Sequence, residues 1–239
     1  MKTAAIRSTC CHLSIAQALA LSSIVALGQP VVIDFEGLPG MTFYSRNPIP
    51  PPSQLSQQLV PGYGVSFSSG SPYVAVVDLG YGHATSGTNG IGGSTPGGIL
   101  TYSSAYPIVA TFSDPAHPST PAVTDFVSVR IDQCGGSGLT VRLNAFDVTG
   151  SLIGFATSLD IGGATLQVST PGIHSVQFIG TIDDAGAALD DFTFNPLTPI
   201  PEPPTVVFAA LSSLVAFGFH LKRRQGERRT TGTEEGVRQ

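Results

Sequence analysis

From Val31 onward the chain runs in short apolar-rich segments separated by clusters of Gly, Pro, Ser and Asp, with no sustained helical period. The segments predict strands over 31–36, 63–68, 73–78, 108–113, 125–132, 139–146, 152–159, 165–168, 173–179 and 189–194. Alternation is clearest where Val127, Val129 and Ile131 oppose Phe126, Ser128 and Arg130, and where Leu139, Val141, Leu143 and Ala145 oppose Thr140, Arg142 and Asn144. One face of each such strand is expected to pack inward and the other to meet solvent. Thr149 and Gly150 stand between two of these runs and predict a hairpin turn. So many short strands in a body spanning 29–197 predict an all-β fold, a two-sheet antiparallel sandwich.

Two regions break the strand pattern. "RNPIPPPSQLSQQL" reads as a proline-stiffened loop and "GYGHATSGTNGIGGSTPGG" as a glycine-rich one. Long loops in a compact domain are functional or mobile. No internal repeat at solenoid spacing is present.

Both ends of the chain differ from the body. Lys2 and Arg7 precede an acid-free apolar stretch over 13–27 that closes in the small residues of "VALGQP". This is the pattern of a secretory signal peptide over 1–28, cut before Gln29. Cys10 and Cys11 leave with it, so only Cys134 remains and no intramolecular disulfide is expected. At the other end, 205–221 contains no charge, and as a helix rising about 1.5 Å per residue it would reach roughly 25 Å, at the short end of a membrane span. Lys222, Arg223 and Arg224 follow at once, which places this end in the cytoplasm and the body outside. The preceding "TPIPEPP" excludes helix and predicts an extended linker.

The order of these features, with Pro201, Glu202 and Pro203, the span 205–221 and the cluster Lys222, Arg223 and Arg224, resembles the PEP-CTERM sorting signal, here over 198–239. The resemblance implies an exosortase as processing partner, a transient inner-membrane intermediate, cleavage near the tripeptide, and delivery to the cell envelope or outside. It also implies a Gram-negative bacterium that makes extracellular polysaccharide. The polar extension 225–239 departs from the family, which usually stops soon after its basic cluster. The body itself resembles, loosely, the jelly-roll domains of carbohydrate-binding modules, through "IDFEGLPG", "PGYGVSF" and "AALDDFTF".

Charge narrows the function. Between Gln29 and Ile200 stand three arginines, no lysine and twelve acids, a net of minus nine, so the overall minus five hides an acidic body and a basic tail. Such a body is a poor nucleic-acid binder and a plausible binder of divalent cations. In "ALDDFTF" a period of two puts Asp190 on the side of Phe192 and Phe194, a half-buried carboxylate that needs a partner. The jelly-roll resemblance implies a structural calcium between first and last strands, which maps onto Asp34, Glu36 and Asp190. The alternative is that these acids hydrogen-bond turns at strand ends.

Other chemistry is sparse. Asp183 and Asp184 beside Gly186 read as a turn, because they lack the alternating acids of a calcium loop. His83, His117 and His174 are too scattered for zinc. No G-x-S-x-G elbow or S-x-x-K is present, and the glycines over 87–98 never form a phosphate loop. Asp132 and Asp147 can be drawn as a glycosidase couple, but only their separation would decide that. Tyr73, Tyr81 and Tyr102 are candidates for a sugar-binding face, although an apolar ring with a polar tip suits a strand end equally well. The sequence thus reads as an exported, non-catalytic structural or adhesive domain associated with exopolysaccharide. A carbohydrate-binding module with a structural calcium and an extracellular hydrolase are the alternatives.

Overall fold

The structure, a computed structural model, describes residues 28–44, 46–80, 83–132, 140–159, 163–180 and 188–201. The expected signal peptide, the apolar span 205–221, Lys222, Arg223, Arg224, Glu202, Pro203, Tyr81, Cys134, Asp183, Asp184 and the side chain of Asp132 lie outside the described residues. Among the described residues no helix is long and apolar enough to cross a membrane.

The described strands are β1 (Val31–Ile33), β2 (Met41–Thr42), β3 (Gln54–Leu55), β4 (Val65–Ser68), β5 (Val74–Asp78), β6 (Asn89–Ser94), β7 (Leu100–Thr101), β8 (Ile108–Phe112), β9 (Ala122–Asp132), β10 (Thr140–Phe146), β11 (Leu152–Leu159), β12 (Ala164–Ile173), β13 (Ser175–Ile179), β14 (Ala188–Phe194) and β15 (Thr198–Pro199). One sheet of ten strands follows the order β12-β9-β14-β6-β5-β2, with β1 on β14, β15 on β9, β3 on β5 and β7 on β6. A second sheet of five follows β11-β10-β13-β8-β4. Pairing is antiparallel apart from β2 with β5. The expected β-sandwich is therefore observed.

The core lies between the sheets and uses the predicted alternation. Val127, Val129 and Ile131 from β9 share one core cluster with Val141, Leu143 and Ala145 from β10, all buried. Phenylalanines fill the centre, with ring centroids 5.1 Å apart for Phe112 and Phe194 and 5.3 Å for Phe67 and Phe192. Each such side chain contributes roughly 1.5–3 kcal/mol on burial. A smaller cluster of Ala75, Val77, Leu79, Leu100, Tyr102 and Ala188 forms separately, which leaves β5 buried on both faces.

Strand β6 lies inside the stretch expected to be a glycine-rich loop, and all six of its residues are buried. Its glycines are there for clearance. A Cβ on Gly92 would stand 2.7 Å from Leu100 Cδ1 and 2.9 Å from Tyr102 Cε1, and one on Gly90 would stand 2.9 Å from the Leu189 carbonyl. Tyr63, expected to open a strand, instead ends a short helix, α1 (Val60–Tyr63), capped by Gly64 at φ 69°.

The two ends of the sandwich meet at one pole. Thr198 and Pro199 pair with Val123 and Ala122, and the Ile200 N–H donates to the Pro121 carbonyl at 2.8 Å. Gly28 lies against Pro196, so closely that a Cβ there would stand 2.6 Å from Pro196 Cγ.

Candidate functional site

The acids singled out in the sequence hold one loop. Just before β6, the N–H groups of Thr88 and Asn89 donate to Glu36 Oε1 at 2.8 and 2.6 Å. The Asn89 side chain then donates to the carbonyls of Phe35 and Leu38. Glu36 is aimed at the loop by Phe35, which turns through φ 61° while its ring packs edge-on to Phe67. Asp34 Oδ1 accepts the Glu36 N–H at 3.2 Å.

Asp190 reaches the same loop from β14. It is fully buried, and its Oδ2 accepts the Ser86 N–H at 2.8 Å. The Ser86 hydroxyl lies 3.3 and 3.2 Å from its two oxygens, and the Asp191 N–H donates to Oδ1 at 2.7 Å. The expectation that Asp190 shares a face with Phe192 and Phe194 is corrected. A register shift between Asp190 and Thr193, with Asp191 at φ 45°, interrupts the alternation. Leu189 pairs with Ile131 and Phe194 with Val127 on the core side, whereas Asp190 opposes Arg130 on the other face. There Arg130 donates to Thr85 and Thr165, so the loop lies across both residues. Among the described residues, no three or more His, Cys, Asp or Glu side chains are grouped to hold a metal ion. Glu36 and Asp190 are brought to one loop, and Asp34 to the backbone of Glu36.

Of the expected tyrosines, the described Tyr73 and Tyr102 do not form an open face. Tyr102 is a core residue, 5% exposed, with its hydroxyl donating to the Phe43 carbonyl at 2.7 Å, and it has no open ring surface for a sugar. Tyr73 is half-buried against the same cluster. The histidines sit apart: His117 pairs with Asp114 at 2.9 Å, while His174 Nδ1 lies 3.0 Å from the Ala122 carbonyl. Asp147 is tied into the β10–β11 turn, its Oδ1 accepting from Thr149 N–H, Thr149 hydroxyl and Ser151 N–H at 2.8, 2.7 and 2.9 Å. These bonds, the Thr149 hydroxyl foremost, hold its carboxyl below the ordinary aspartate value.

Sequence reasoning missed the outward face of the five-stranded sheet. In β10, Arg142 and Asn144 alternate with the buried Val141, Leu143 and Ala145. Asn144 is flanked in register by Phe155 on β11 and Gln177 on β13, and Arg142 by Thr157 and Ile179. The Arg142 guanidinium carbon sits 4.2 Å from the centroid of the Phe155 ring. Phe155 is 59% exposed and Asn144 only 7%. The Asn144 Nδ2 donates to Gln177 Oε1 at 3.4 Å, but Asn144 Oδ1 and Arg142 Nε are buried without a hydrogen-bond partner. A register shift explains the oversight. It falls between Ala145 and Phe146, where Gly154 and Leu152 are the partners and Ile153 is extra, and it turns Phe155 outward from the inward phase of Ile153. Both atoms are sealed from solvent, where an orphaned polar atom costs about 1–3 kcal/mol.

No family model matches the chain, and no curated protein matches it. A solved structure from Clostridium thermocellum, the CBM22-1 and GH10 modules of the endo-1,4-beta-D-xylanase 10B complexed with xylohexaose, is similar at 13% identity and a TM-score of 0.34. The similarity covers 72% of this chain and 28% of that one, so the chain spans about a quarter of that protein's length.

Proposed function

We propose that the chain is an exported, non-catalytic β-sandwich that is sorted through the membrane, released by an exosortase, and adheres to extracellular polysaccharide. The observation that supports release is where the last described strand lies. β15 and the Ile200 N–H hold the chain to β9 and Pro121, one residue before Pro201. A cut at Pro201, Glu202 or Pro203 therefore leaves every described strand on the released side. Gly28 lies at the same pole, and removal of a leader before Gln29 leaves every described strand in place.

A non-catalytic body is supported by the use of its acids. Glu36, Asp190 and Asp147 are engaged with backbone N–H groups and hydroxyls of loops and a turn, where they stabilise structure. The test is mass spectrometry of the protein recovered outside the cell, which should find a new C-terminus near Pro201. A mature form that still ends in Gln239 would overturn the sorting reading.

A further inference from the structure

We propose that a cavity of about 220 Å³ lined by His174, Ser66, Thr111, Ser113 and Ser119 binds one residue of a neutral, hydroxyl-rich glycan, an inference that rests on the adhesive reading above. The volume lies below the roughly 300–1,000 Å³ of pockets that enclose a drug-sized ligand. It suits a single sugar ring, with the rest of the polymer outside.

His174 sets the chemistry. It lies between β12 and β13, where its N–H donates to the Phe146 carbonyl at 2.8 Å and its own carbonyl accepts the Phe112 N–H at 2.9 Å. The ring is held as well, with Nδ1 at 3.0 Å from the Ala122 carbonyl. A carbonyl can only accept, so Nδ1 carries the proton and Nε2 of the neutral ring presents a lone pair. Nε2 has no partner among the described residues, where the orphaned side-chain atoms sealed from solvent are Arg142 Nε and Asn144 Oδ1. It is therefore open to a donor from outside.

The hydroxyls around it are also available. Ser66 and Thr111 are register partners on β4 and β8, each on the outward phase of a strand whose alternate residues are buried. Ser113 and Ser119 stand on the β8–β9 loop, which braces itself. There the Asp114 N–H donates to the Thr120 carbonyl at 2.9 Å, the Thr120 N–H to the His117 carbonyl at 2.8 Å, and the Ala116 N–H to Asp114 Oδ1 at 2.9 Å. The hydroxyls of Thr111, Ser113 and Ser119 take no part in this bracing and have no partner among the described residues. Donors and acceptors are thus placed before any ligand arrives.

Charge selects a neutral ligand. Among the described residues that line the cavity there is no Lys, Arg, Asp or Glu, and the body between Gln29 and Ile200 sums to minus nine. An acidic polymer meets a repulsive field and no fixed cation, whereas a sugar hydroxyl can donate to Nε2 and accept from Thr111. With no carboxylate pair in the cavity, the bound glycosidic chain is held and not cut.

The experiment is affinity electrophoresis of the full chain through gels holding a neutral glucan, mannan or arabinoxylan, with polygalacturonate as the acidic comparison. His174→Asn, Thr111→Val and Ser119→Phe are run beside the parent chain. Asn can still donate to the Ala122 carbonyl but lacks the Nε2 acceptor, Val keeps the shape of Thr without its hydroxyl, and Phe fills the cavity from an exposed loop position. The expected result is retardation by at least one neutral polymer, insensitive to salt, and weakened about tenfold or more in each variant. Thermal melting gives an independent readout, and Thr111→Val and Ser119→Phe should melt with the parent because neither loses a hydrogen bond. Melting temperatures that fall in step with retardation in all three would show a structural role and overturn the site. Retardation by neutral polymers that survives all three substitutions would also overturn it and leave the adhesive reading standing. Retardation by polygalacturonate alone, abolished by salt, would overturn the neutral ligand. If no polymer retards the parent chain, both the site and the adhesive reading fall.

Discussion

The Asn89 N–H donates to the Glu36 carboxylate at 2.6 Å across 53 residues of sequence, and this bond fastens the start of β6 to the turn after β1. Asp190 holds Ser86 in the same way from β14. Asp190 is withdrawn from water and needs positive partial charge nearby, which the backbone N–H groups of Ser86 and Asp191 supply. The partner that "ALDDFTF" is expected to need includes Ser86 of the glycine-rich stretch.

Glu36→Ala should lower unfolding free energy by about 1–2 kcal/mol, because two hydrogen bonds to a charged acceptor are lost and water replaces them only in part. Gly87 gives a second test of the same contact. It sits at φ 53°, and a Cβ there would overlap the Glu36 carboxyl group. Gly87→Ala is therefore expected to cost about 1–2 kcal/mol from backbone strain alone. Urea titration measures both, and hydrogen exchange should show the Thr88 and Asn89 amides opening first in either variant.

Asp190→Asn separates charge from shape. The Ser86 and Asp191 N–H groups donate to different oxygens of Asp190, so an amide must turn its NH2 toward one of them. One buried N–H then loses its acceptor, at a cost of about 1–3 kcal/mol. Asp190→Ala removes both acceptors and should be worse. Equal stability for parent and Asp190→Asn would mean that the buried carboxylate does not organise the loop.

Much of this architecture was legible in the chain. Alternation along 125–132 and 139–146 gave the sheet faces, and Thr149–Gly150 gave the hairpin, because those strands keep period two without interruption. Three features escaped for physical reasons. β6 is built on glycines that serve close packing, so it carries almost no apolar pattern. The irregularities beside Asp191 and Ile153 each reverse the inward phase of a strand, which moved Asp190 off the phenylalanine face and exposed Phe155. The orphaned atoms of Arg142 and Asn144 depend on pairing between three strands, which no single segment reports.

Tyr102→Phe distinguishes a core tyrosine from a sugar contact. Its hydroxyl donates to the Phe43 carbonyl, so the variant should lose about 1 kcal/mol of stability, read by thermal or urea unfolding. Retention on any polysaccharide that the parent chain binds should be unchanged. A loss of retention with unaltered stability would restore Tyr102 to the ligand surface.

The β10–β11 turn supplies a pH test. Hydrogen bonds from the Thr149 hydroxyl, and then from Ser151 and Thr149 N–H groups, depress the Asp147 carboxyl in the folded chain relative to an unfolded aspartate near about 3.9. Unfolding therefore takes up protons once the pH falls below that value, and the stabilisation from this turn is lost as the pH drops through the lower folded value. It is fully present above about pH 4. Thr149→Val removes the hydroxyl that contributes most to the depression. The melting temperature of this variant should fall below that of the parent chain near neutral pH, and the gap should close as both are taken below the depressed folded value. A gap that stays constant across that range would show that Thr149 acts through turn geometry alone, with the carboxylate uninvolved.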